Sequence, residues 1–154
     1  AALHGSELPA ERLELEITES ALIASETPVL ATLHRLRDRG IRIAMDDFGT
    51  GHSSLSRLRS FPFSKIKIDQ RFVARLGVDE EAAAVIRAIV TLGQGLGMAT
   101  IAEGVETADQ AARVEAGGCT QIQGYLLSQP IRATQVDVFL RQYDRASGGV
   151  FTPA

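Results

Sequence analysis

The chain has 154 residues, 45% hydrophobic and 23% charged, the composition of a globular domain with apolar material for one core. A formal net charge of -3 argues against the basic stripe with which a protein grips DNA or RNA. No apolar run reaches the roughly 20 residues needed to span a bilayer, and Cys119 is the single cysteine, so no intrachain disulfide framework exists.

In chain order, short Ile- and Leu-rich segments alternate with amphipathic stretches. Leu13 to Thr18 reads as a strand. Thr27 to Arg39 reads as a helix, with Val29, Leu30, Leu33 and Leu36 on one face and Gly40 placed as its C-terminal cap. A second strand, Ile41 to Met45, leads to the adjacent pair Asp46 and Asp47, a glycine-bearing turn and a short helix near Ser54 to Leu58. Lys65 to Ile68 is the third strand, and a long helix is expected from Asp79 to Gly95. Met98 to Ala102 is the fourth strand, followed by a helix from Ala108 to Glu115. A fifth strand near Thr120 to Gln123 and a last helix near Ala133 to Tyr143 complete the pattern. Residues 1–146 are expected to form one domain portion, and 147–154 a frayed tail of small and polar residues.

Repeated βα units imply an α/β fold with a parallel sheet. Two architectures compete, an open doubly wound sheet and a (β/α)8 TIM-like barrel. Every strand ends in charged or amide groups: Glu16 and Glu19, Asp46 and Asp47, Lys67 and Asp69, Glu103, then Gln123. A barrel brings such ends to one mouth, whereas an open sheet splays them apart. The barrel therefore explains the pattern better. A complete barrel takes about 250 residues, so about five βα units are expected to form an incomplete one.

Glu16, Asp46, Asp47 and Glu103 have no histidine or cysteine among them. Such carboxylates crowd at high cost unless cations neutralise them. All-oxygen ligation selects hard ions, Mg²⁺ or Mn²⁺ before Zn²⁺. Adjacent Asp46 and Asp47 could serve two ions, the usual device for in-line displacement at phosphorus. Lys67 adds a cation that can orient a water or stabilise developing charge. Plainer readings exist for each residue taken alone. Asp46-Asp47 before Phe48-Gly49 could be a turn, Glu103 and Glu106 could serve a helix N-terminus, and Lys67 could snorkel at a rim. His4, His34 and His52 lack metal-ligand spacing and read as surface or loop residues; Cys119 reads as a small core residue.

Taken together, the segments resemble one family. Leu15-Glu16-Ile17-Thr18-Glu19-Ser20, Asp46-Asp47-Phe48-Gly49-Thr50-Gly51 with Ser53-Ser54-Leu55, and Lys65-Ile66-Lys67-Ile68-Asp69 with Phe72-Val73 match its motifs. So do Glu103-Gly104-Val105-Glu106-Thr107 and Gln123-Gly124-Tyr125-Leu126 followed by Ser128 and Pro130. In order and spacing these resemble the EAL domain, a hydrolase of cyclic di-GMP that yields linear pGpG. The resemblance implies that Glu16, Asp46, Asp47 and Glu103 ligate Mg²⁺ or Mn²⁺. It implies that Lys67 and Glu103 act on the attacking water and that Gln123 lies at the reacting centre. It gives Glu106 and Thr50 the anchoring of the DFGTG loop, and Gln123 and Pro130 contacts to substrate. A homodimer through that loop or through an open barrel edge is expected, with no DNA or RNA partner and a cytoplasmic location. The family's E-x-L strand, an asparagine ligand and a substrate-contacting arginine are expected upstream of residue 1. The isolated chain is accordingly expected to be inactive or very weak. His52 and Thr120 depart from the family's usual tyrosine and aspartate. The alternative is a catalytically inactive receptor or interaction module on the same scaffold.

Overall fold

A computed structural model describes residues 5–18, 21, 26–49 and 55–147. Five strands form one sheet in the order of the sequence: β1 (Glu14–Thr18), β2 (Arg42–Phe48), β3 (Lys65–Ile68), β4 (Ala99–Ala102) and β5 (Gln121–Ile122). Every neighbouring pair is parallel. Helices make the crossovers: α1 (Glu26–Arg37), α2 (Leu55–Ser60), α3 (Gln70–Val73) with α4 (Glu80–Leu96), and α5 (Ala108–Ala116). A last helix, α6 (Val136–Ser147), follows a 3-10 turn at Ala133–Gln135. A doubly wound sheet would reverse its strand order at a switch point. The described strands show no reversal, and the sheet is that of part of a TIM-like barrel.

Local signals set the helix boundaries. Asp79 caps α4 by accepting from the Glu81 N–H at 2.9 Å, and Glu80 and Glu81 sit where the helix dipole favours acids. Thr107 and Gln110 form a reciprocal capping box at the start of α5. Gly40, expected to end the first helix, has φ +87°, a conformation that favours glycine; α1 itself stops at Arg37, two residues before the expected end.

Two expectations need correction. Strand β2 does not end at Met45 but runs on to Phe48, so Asp46 and Asp47 lie within it. The helix α3, with Asp69 as its N-cap, was not foreseen, because four residues are too few to show a helical period. Thr50, Gly51, His52, Ser53 and Ser54 of the glycine-bearing loop lie outside the described residues, as do His4, Glu19, Ser20 and 148–154.

The core lies between the sheet and its helices. Ile43, Met45, Ile66 and Ile68 from the strands pack with Leu33, Leu58, Ile86, Val90 and Val114 from the helices, none more than 4% exposed. Burying each such side chain contributes about 1.5–3 kcal/mol. Thr120, a departure just before β5, latches that strand to β4: its hydroxyl donates to the Thr100 carbonyl at 2.7 Å and accepts from the Thr100 N–H at 2.9 Å.

Candidate functional site

The opposite face of the sheet is charged. Lys67 on β3 points there, its side chain 5% exposed, with Nζ at 2.6 Å from Glu16 Oε2, 2.9 Å from Asp46 Oδ1 and 2.6 Å from Glu103 Oε1. One ammonium thus joins carboxylates from β1, β2 and the end of β4. The reading of Lys67 as a snorkelling rim residue does not fit a buried ammonium with three anionic partners.

Adjacent residues of a strand normally point to opposite faces. Strand β2 evades this with a bulge: its pairing with β3 shifts register between Met45 and Phe48, and Asp47 has φ +55°. The extra residue returns Phe48 to the core while Asp46 and Asp47 both stay with the acidic group. Aspartate is among the few side chains that tolerate the left-handed region. Oxygens of Asp46, Asp47 and Glu103 all lie within 4.8 Å of one another. Glu16 is not in that trio; it joins the group through Lys67.

Asp69, a strand-end residue in the sequence, also joins the site. Its carboxylate shares a side-chain hydrogen bond with Asp47. It also accepts from the Arg71 backbone N–H at 2.7 Å and from Arg71 Nε at 3.0 Å. The sequence signal was its position one residue beyond β3, where barrel strands present functional groups.

The electrostatics follow from crowding. Burial raises the Asp47 pKa, and the neighbouring Asp46 and Asp69 raise it further. Burial also raises Glu103, against the pull of Lys67. Burial opposes the Lys67 ammonium, but Glu103, Glu16 and Asp46 prevail and hold its pKa above the ordinary lysine value. For Asp69, burial is likewise overcome, here by the hydrogen bonds and charge of Arg71, and its pKa falls. Five acidic groups (Glu16, Asp46, Asp47, Asp69 and Glu103) therefore face two bases, Lys67 and Arg71. The buried Asp46 Oδ1 sits at ion-pair distance from Lys67 but outside hydrogen-bond geometry. An oxygen-only donor set and an excess of negative charge fit a divalent cation.

Beside the acidic trio opens a cavity of about 460 Å³, lined by Gln70, Glu103, Glu106, Gln123 and Tyr125 among others. Two loops knit its floor. The Val105 N–H donates to the Gln123 carbonyl at 3.1 Å, and the Leu126 N–H donates to the Val105 carbonyl at 3.0 Å. A Cβ at Gly124 would collide with the Val105 backbone, so only glycine permits this approach. Gln123 is exposed at the cavity, whereas Pro130 lines an adjoining apolar groove that also includes Gln123. Glu106 is exposed, with its backbone N–H donating to Gln110 Oε1 at 2.8 Å; its expected partner Thr50 is outside the described residues. Gln70, at the start of α3, is a lining residue the sequence did not single out.

An α/β barrel segment with an acidic, cation-fitting site at the C-terminal ends of its strands has the arrangement on which barrel proteins build their functional sites. Comparison narrows this: the sequence matches the EAL domain over residues 1–130, and the chain belongs to that family. It is 45% identical over 124 residues to the cyclic di-GMP phosphodiesterase RocR of Pseudomonas aeruginosa, covering 80% of this chain and 32% of RocR. The EAL domain of Mycobacterium smegmatis DcpA superposes with a TM-score of 0.84 at 38% identity, over 91% of this chain and 63% of that one. Klebsiella pneumoniae BlrP1, solved as a manganese/cy-diGMP complex, superposes with a TM-score of 0.78 at 32% identity, over 84% of this chain and 33% of that one. The chain spans 15–32% of the length of the first curated relatives it matches. Among the described residues, no helix is long and apolar enough to cross a membrane.

Proposed function

We propose that this chain serves the metal-dependent hydrolysis of cyclic di-GMP to linear pGpG. One observation carries the reading: carboxylates from β1, β2 and β4 converge on the buried Lys67 beside a cavity of nucleotide-accommodating size. Glu16, Asp46, Asp47 and Glu103 would hold Mg²⁺ or Mn²⁺, with Asp69 hydrogen-bonded to Asp47. A divalent cation held there would supply charge neutralisation at the phosphodiester and ease ionisation of the attacking water. Lys67 holds the carboxylates in a convergent arrangement and places positive charge where negative charge develops. Glu103 accepts a proton or orients the water, and Gln123 offers its amide to the substrate across the cavity. Pro130 contacts a more distal part of the ligand. Glu106 and Thr50 tie the DFGTG loop to the site, and that loop or an exposed sheet edge forms a homodimer contact. The single free Cys119 and this substrate suit the cytoplasm.

The test is chromatographic detection of pGpG formed from cyclic di-GMP with Mn²⁺, comparing the protein with its Asp46→Ala variant. Cleavage that the variant lacks sustains the reading; equal cleavage by both overturns the site. Metal-dependent binding of cyclic di-GMP without cleavage would fit both the inactive receptor and a portion of the enzyme that binds but does not turn over alone. Retention of all four expected carboxylates favours the enzyme.

A further inference from the structure

Beneath the acidic group, the same face of the sheet carries a second ion pair that the proposed chemistry does not use. Lys65 is 7% exposed, and its Nζ donates to Glu14 Oε1 at 3.0 Å. Arg42 flanks the pair with Nε 3.9 Å from Glu14 Oε2, and neither of those two atoms has a hydrogen-bond partner. The strand register makes the choice of partner informative. Glu16 pairs across the sheet with Ala44, and Ala44 with Lys65, so Lys65 lies in the row of Glu16. It nevertheless reaches Glu14, one inward-facing position lower on β1. Lys67 makes the corresponding diagonal contact to Glu16. Ala44 between them offers only a methyl group, which leaves room for both lysines to cross β2.

We propose that Glu14 is a positioning residue that locks this ladder of ion pairs in register. By retaining Lys65 on the lower rung, it keeps Glu16 available to Lys67 and to the cation. This inference rests on the proposed function only in taking Glu16 as a cation ligand. A buried ammonium needs an anion. If Glu14 is neutral, the carboxylate in the row of Lys65 is Glu16. Lys65 then swings up one rung, adds a second positive charge to the site and competes directly with the bound metal. Loss of Lys65 is a different matter. Nothing then intrudes on Glu16, and Arg42 is already placed to close on Glu14.

The lock therefore predicts an asymmetry that general damage to the fold does not. Mn²⁺ binding, followed by electron paramagnetic resonance of free Mn²⁺, should weaken about tenfold in Glu14→Gln, the size of coupling expected between charges in one network. Lys65→Met should stay within about threefold of wild type, and the double variant Glu14→Gln/Lys65→Met should recover to that level. A crystal structure of metal-free Glu14→Gln should show Lys65 Nζ within about 4 Å of a Glu16 oxygen, the ordinary ion-pair limit. The lock is overturned if Lys65 stays on the lower rung in that structure, or if the double variant binds Mn²⁺ as weakly as Glu14→Gln alone. A wild-type protein that binds no Mn²⁺ would instead overturn the proposed metal site, and the crystal structure would still decide the lock.

Discussion

The two faces of the five-stranded sheet solve opposite problems. On the helix-covered face, Ile43, Met45, Ile66, Ile68 and Ala102 are at most 2% exposed and bury apolar area against the helices. On the other face, Glu14, Glu16, Asp46, Lys65 and Lys67 are held by pairing among charges. Stability and chemistry are thus separated by the alternation of a strand, residue by residue. The neighbours Ile66 and Lys67 belong to different faces and should fail in different ways.

Lys67→Met should show the largest effect. It leaves the carboxylates of Glu16, Asp46 and Glu103 without their ammonium, and breaking a buried pair on one side costs about 3–5 kcal/mol. Urea unfolding in EDTA should show that loss. Added Mn²⁺ should recover more stability in the variant than in wild type, because the cation then neutralises carboxylates that Lys67 already neutralises in wild type. Equal Mn²⁺ gains in both proteins would show that Lys67 and the cation do not share these ligands.

Ile66→Ala tests the other face. Truncating a fully buried side chain costs about 2–5 kcal/mol through lost transfer energy and the cavity left behind. Mn²⁺ should stabilise this variant no more than wild type, since Ile66 packs away from the acidic group. A metal-dependent rescue here would break the separation of the faces.

The sequence made much of this division legible. Ile and Leu alternating with charges at Leu15-Glu16-Ile17 and Ile66-Lys67-Ile68 display the two-residue period directly. The polar strand ends pointed to one mouth, and the EAL likeness assigned roles to the carboxylates. Asp46-Asp47 was harder, because alternation sends adjacent residues to opposite faces. Only the bulge and the left-handed Asp47 backbone set both beside Glu103, and neither leaves a local sequence signature. Asp69 was hidden for another reason: its value comes from Asp47, a contact between distant chain segments that no sequence window contains. The Glu14–Lys65 rung was likewise invisible, since pairing two residues 51 positions apart requires the register.

Gly124→Ala sharpens the comparison where the faces meet. A methyl group at this position meets the Val105 backbone, which cannot rotate aside as a side chain can. Forcing extra volume into such a contact costs about 1–3 kcal/mol. The loop carrying Gln123 should move away from the one carrying Glu103. Cyclic di-GMP affinity should therefore fall while Mn²⁺ affinity holds, as read by calorimetric titration of each ligand. A matching fall in Mn²⁺ affinity would mean that Gln123 and the metal ligands form one unit.

Thr107→Ala should have the smallest effect. Its hydroxyl accepts from the Gln110 N–H at 3.2 Å, and Gln110 Oε1 in return accepts from the backbone N–H groups of Glu106 and Thr107. Removing such a cap costs about 1 kcal/mol, measurable as a lower urea midpoint. The cap lies only four residues beyond Glu103, yet Mn²⁺ affinity should not change. Glu103 is held from the sheet side, by its N–H donating to the Ile68 carbonyl at 3.1 Å and by the Lys67 ammonium on its carboxylate. If Mn²⁺ binding nonetheless weakens with the cap, then the acidic group depends on the helix layer for its geometry, and the two faces act as one structure.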